Sequence, residues 1–95
     1  MKLRTKICEH LENFNTANIK KDDRYQCVEC IKTGDNWVHL RTCQECGVTL
    51  CCDSSPNKHA SHHYRTYKNH SVIISAEPKE KWAWCYEHKS FLEYE

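Results

Sequence analysis

Cys43-Gln44-Glu45-Cys46-Gly47-Val48-Thr49-Leu50-Cys51 is the stretch on which the fold turns. Two residues between Cys43 and Cys46 let the chain curl so that both sulfurs reach one ion at about 2.3 Å. Gly47 suits the tight turn such a knuckle needs. Val48-Thr49-Leu50 then reads as a short strand that delivers a third thiol, Cys51. Working outward, the same pattern recurs. Of eight Cys and seven His, all but Cys52, His39 and His62 fall into close pairs: Cys8/His10, Cys27/Cys30, Cys43/Cys46, Cys51/His59, His63/His70 and Cys85/His88. Four ligands close one tetrahedral zinc site, so the pairs suffice for three ions.

Size makes metal necessary. The chain has 95 residues, 39% hydrophobic and 28% charged, and a domain this small rarely builds a sufficient core alone. Its apolar residues come in short runs such as Trp37-Val38, Val72-Ile73-Ile74 and Trp82-Ala83-Trp84. A disulfide framework is the competing use of eight Cys. Thiols separated by only two residues are too close for ordinary bridges, and the histidines would have no role. The start, Met1-Lys2-Leu3-Arg4-Thr5-Lys6-Ile7, carries no apolar signal segment. A reducing, cytoplasmic setting is the expectation, with no membrane span and a single domain over residues 1–95.

The formal net charge is +1. Three Zn²⁺ would add six positive charges and seven ligating thiolates would remove seven, leaving a nearly neutral protein. That lacks the electrostatic footprint of a nucleic-acid binder. Lys58, Arg65 and Lys68 beside Tyr64 and Tyr67 form the small patch on which a zinc-dependent nucleic-acid-binding protein would have to rest.

Locally, residues 1–7 read as a basic lead-in and 11–26 as an irregular connection with at most one helical turn. Cys27-Val28-Glu29-Cys30 reads as a knuckle closed by a turn at Thr33–Asn36. Strands are expected over Trp37–Thr42, Val48–Leu50, Ser71–Ala76 and Trp82–Cys85. Ser54-Ser55-Pro56 predicts a helix from Pro56 to about Arg65, capped by Ser. Tyr86–Tyr94 is expected to end in a short helix. On the helix from Pro56 to about Arg65, His59 and His63 are four apart, so they either share one ion or serve two. No Glu lies between them to act as a base, which counts against a catalytic helix. His39 reads as a packing residue. Spacing does not settle which pairs combine, nor whether Cys51 or Cys52 is the ligand.

Cys8-Glu9-His10, CVEC (27–30), WVHL (37–40), CQECGVTLC (43–51), HASHH (59–63), HSVIIS (70–75) and WAWCYEH (82–88) together resemble the ubiquitin-protease type zinc finger. That module occurs in many deubiquitinases and in a cytosolic histone deacetylase, and the wording here is most similar to free-standing bacterial members. The resemblance implies a small zinc-stabilised α+β domain: a short antiparallel sheet, one or two helices and three structural zinc sites, two of them cross-braced. It implies the pairing Cys8, His10, Cys85 and His88; Cys27, Cys30, Cys51 and His59; and Cys43, Cys46, His63 and His70. With closed sites it implies no enzyme but a monomeric protein- or peptide-binding module.

In the family an aromatic pocket captures the free C-terminal Gly-Gly of ubiquitin, with an Arg pairing its carboxylate. The resemblance places Trp37, Trp84, Tyr86 and Phe91 at pocket positions, and Asp53 where that Arg would stand. The bare sequence also allows Trp82 and Trp84, two apart on one sheet face, to be core.

Overall fold

The computed structural model describes residues 8–14, 18–21 and 24–94. The basic lead-in 1–7 and part of the charged run 20–24 lie outside the described residues.

Five short strands form one antiparallel sheet in the order β2-β1-β3-β4-β5. They are β1 (Leu40–Cys43), β2 (Thr49–Cys51), β3 (Val72–Ser75), β4 (Trp82–Cys85) and β5 (Ser90–Glu93). Among the described residues three helices accompany it: α1 (Glu9–Glu12), α2 (Val28–Thr33) and α3 (His59–Thr66). The α+β class holds, with one helix more than the one or two expected. The Cys43–Cys51 stretch is a hairpin: β1 enters the knuckle, Gly47 turns at φ 82°, and β2 leaves with Leu40 opposite Cys51.

Several local expectations are corrected. The first knuckle does not stop at a turn. It opens α2, whose end is set by Gly34 in the left-handed region at φ 74°, with its amide donating to the Cys30 carbonyl. Helix α3 starts at His59, not at Pro56. Ser55 cannot cap it because its Oγ accepts the Val38 amide at 2.8 Å while its side chain is buried. The chain instead turns at Lys58, φ 50°, which brings the His59 amide to 3.3 Å from Cys51 Sγ. The expected closing helix is strand β5, because Phe91 and Leu92 fall opposite Trp84 and Ala83 of β4. Cross-strand pairing of that kind outweighs a weak local helical preference. Strand β1 begins at Leu40 rather than Trp37, and His39 is exposed rather than packed.

The core is thin and divided. Leu40, Leu50 and Ala60 pack with Cys27, Cys30 and Cys51. Leu11, Ile74 and Ala83 pack with Cys85, tying α1 to the sheet. Among the described residues the fully buried aliphatic side chains of any size are Leu11, Leu40 and Ile74, outnumbered by the thiols Cys27, Cys30, Cys43, Cys51 and Cys85. Each such aliphatic contributes roughly 1.5–3 kcal/mol, far below the cost of ordering this many residues.

Ile74 is wholly buried at the centre of the sheet. Ile74→Ala should cost about 2–5 kcal/mol in urea unfolding of the metal-loaded protein. Ile31→Ala, at a residue 52% exposed, should stay within about 0.5 kcal/mol.

Candidate metal centres and the neighbouring cavity

Three quartets of Cys and His converge: Cys8, His10, Cys85 and His88; Cys27, Cys30, Cys51 and His59; Cys43, Cys46, His63 and His70. Within each, one ligand atom per residue lies within 4.8 Å of the others. The first quartet joins the two ends of the described chain, α1 and the β4–β5 turn. The other two interleave, because α3 gives His59 to one and His63, a turn further on, to the other. Those histidines therefore serve two centres and do not share one.

Distances within the quartets are those of tetrahedron edges. Zinc–sulfur and zinc–nitrogen bonds of about 2.3 and 2.0–2.1 Å imply edges of about 3.8 Å between sulfurs, about 3.6 Å between sulfur and nitrogen, and about 3.3 Å between nitrogens. Cys30 and Cys51 Sγ are 3.8 Å apart. His59 Nδ1 stands 3.4, 3.4 and 3.5 Å from Cys27, Cys30 and Cys51 Sγ. His63 Nε2 lies 3.5 Å from Cys46 Sγ and 3.2 Å from His70 Nδ1. Cys85 Sγ is 3.3 Å from His10 Nδ1 and 3.7 Å from His88 Nδ1. These spacings are too regular for incidental hydrogen bonds, and the donor set of soft thiolates and imidazoles suits zinc.

Surrounding groups fix the ligands. Ser90 Oγ donates to Cys8 Sγ at 2.9 Å, the Cys30 amide to Cys27 Sγ at 3.4 Å, and the Glu45 amide to Cys43 Sγ at 3.4 Å. Asn57 Nδ2 reaches Cys30 Sγ at 3.8 Å while also donating to Asp35 at 3.0 Å. Such partners orient ligands and stabilise thiolate charge.

Without metal, burial pushes the Cys30 thiol up to about 12, helped by Cys27 and Cys51. Burial also raises Cys43 and Cys85 and lowers His63, which His70 lowers further. At Cys8 burial is the largest single influence and opposes ionisation, yet hydrogen bonds from Ser90 and Leu11 outweigh it and bring the thiol down to about 7.

Cys52 is buried and stands apart from every quartet. Its Sγ lies 3.6 Å from Ser55 Oγ and its amide donates to the His39 carbonyl at 3.1 Å. Of the adjacent thiols, Cys51 is the one in a metal centre. His39 and His62, both exposed, also lie outside the quartets.

Beside the centres, on one sheet face, opens a cavity of about 300 Å³ lined by Arg41, Asp53, Trp82, Trp84, Tyr86 and Phe91, with Cys52, Ser54 and Ile73. Trp84 stands between Ile73 and Phe91 across the strands, and Trp82 is on the same face by the period of two. Trp82 and Phe91 rings are 5.8 Å apart. Tyr64 of α3 stacks on Tyr86 at 5.2 Å, with the Lys68 ammonium 6.0 Å from its ring. Trp84 is half-buried, neither sealed core nor free surface. So Trp84, Tyr86 and Phe91 are brought together, whereas Trp37 does not line this cavity. It precedes β1 and packs against the Leu40, Leu50 and Ala60 cluster. Trp82 and Arg41 are further wall residues. Their alternation on β4 and β1 was visible, but the register that aligns them was not.

A family model described as "Zn-finger in ubiquitin-hydrolases and other protein" matches residues 27–95. The chain belongs to this zinc-finger family. The family supports zinc as the metal of the quartets, and Cys8 and His10 fall before the matched span. Among solved structures, the chain is similar to protein RPA1320 of Rhodopseudomonas palustris, determined by solution NMR, at 37% identity and a TM-score of 0.78. The alignment covers 95% of this chain and 84% of that one. No curated protein matches the chain. Among the described residues, no helix is long and apolar enough to cross a membrane.

Two outcomes follow for the zinc finger. Cys51→Ser should lose bound zinc and the folded spectrum, while Cys52→Ser keeps both, read by metal content and circular dichroism. Because Cys30, Cys43 and Cys85 are protonated without metal near neutral pH, zinc must displace their protons. Zinc loading should therefore release protons, and apparent affinity should fall by at least about tenfold per pH unit on acidification, measured by chelator competition.

Proposed function

We propose that the protein is a non-catalytic interaction module, held together by three zinc ions, that captures the free C-terminal tail of ubiquitin or a ubiquitin-like protein. The observation that carries this reading is the gathering of Trp84, Tyr86 and Phe91 around a single cavity of about 300 Å³. A cleft walled by aromatic rings with a few polar groups is the usual form of a small-ligand or peptide-end site. Close aromatic walls admit glycine backbone and exclude side chains.

Absence of catalysis rests on the quartets. Four protein ligands complete a tetrahedral ion, so no position is left for an activated water. The zinc then contributes folding free energy alone.

Calorimetry of the zinc-loaded protein with a peptide ending in Leu-Arg-Gly-Gly tests the reading. Binding is expected, and Trp84→Ala should weaken it at least about tenfold with zinc content unchanged. No heat at millimolar peptide would reject tail capture.

A further inference from the structure

The tail-binding reading lacks a cation at the expected place, because Asp53 occupies it. The cavity nevertheless contains one. Arg41 leaves β1 on the same sheet face as Ile73 and Trp84: it stands opposite Ser75, two residues along β3 from Ile73. Its guanidinium lies 4.6 Å from the centre of the Trp82 ring, and Nη1 donates to the Leu40 carbonyl at 2.9 Å and approaches Ser75 Oγ at 3.5 Å. These contacts hold the group in place and use one nitrogen of a fork that carries five donor hydrogens. Among the described residues, no carboxylate forms an ion pair with it. A half-buried guanidinium, stacked on an aromatic floor and without an anion, is built to receive one in bidentate fashion.

We propose that Arg41 of β1 holds the terminal carboxylate of a peptide whose last residues lie between Trp84, Tyr86 and Phe91. The proposal rests on the tail-binding reading and names its carboxylate subsite. Arg65, the other cation near this end of the sheet, is exposed and does not line the cavity. Tyr86 supplies a second donor. Its side chain lines the same cavity. Asp53 sits in the same wall and opposes the incoming anion, so it sets an upper limit on affinity.

The test uses the full zinc-loaded chain and a peptide ending in Leu-Arg-Gly-Gly, as the free acid and as the C-terminal amide. The wild-type protein should bind the acid at least about tenfold more tightly than the amide. Arg41→Gln should weaken the acid by a similar factor, leave the amide unchanged and so abolish the preference. Arg41→Lys, which keeps the charge without the fork, should fall between. Asp53→Asn should strengthen the acid alone. Should Arg41→Gln, with full zinc content, keep the preference for the acid, the carboxylate is held elsewhere and the proposal fails while tail capture stands. Equal gain for both peptides with Asp53→Asn, or equal binding of both by the wild type, also overturns it. Binding of neither peptide by the wild type overturns tail capture itself.

Discussion

Closure of Cys and His quartets around tetrahedral metal is the constraint on which this structure depends. A structural zinc site contributes about 10–16 kcal/mol in small zinc domains, whereas the buried aliphatics among the described residues are Leu11, Leu40, Leu50, Ile73 and Ile74 with Ala60 and Ala83. Placement of the quartets matters as much as their strength. One joins α1 to the β4–β5 turn, and two interleave through α3, so α1, α2, α3, β1, β2 and β4 each carry a ligand, and β3 and β5 are held by pairing with β1 and β4. Local preferences yield to that geometry: α3 starts where His59 meets Cys51, despite a better capping sequence upstream.

A metal-held frame leaves the sheet free to do other things. In a domain with a deep core, Trp82, Trp84 and Phe91 would be buried to stabilise it. Here they remain half-buried or exposed on one face, beside Arg41 and Asp53. The opposite face carries Ile74, Ala83 and Cys85 packed against Leu11. Tyr86 links frame and cavity, since it follows the ligand Cys85 directly and is stacked by Tyr64 of the helix that bears His59 and His63. Ligand spacing and pocket shape are thereby coupled.

Much of the frame was legible in the sequence, because metal ligation is written in short spacings of few residue types. The six pairs, the hairpin from Cys43 to Cys51 and the cross-brace all follow from Cys and His positions and the family they resemble. What spacing alone left open, the pairing order and Cys51 against Cys52, depends on through-space distances. The cavity was legible in part. Of the positions the resemblance named, Trp84, Tyr86 and Phe91 line it and Trp37 does not, while Arg41 and Trp82 line it as well. Those depend on which strands neighbour which, a non-local fact in a sheet whose order is β2-β1-β3-β4-β5. Strand β5 was read as helix because Ser90–Glu93 is short, and only pairing with β4 fixes its conformation.

The most direct measurement is a two-dimensional ¹⁵N–¹H NMR spectrum recorded while a strong chelator withdraws metal from the purified protein under reducing conditions. The account predicts that dispersed amide signals from β1 to β5 collapse together as zinc leaves, and return when zinc is restored. A metal-free protein that kept its dispersed spectrum would contradict it.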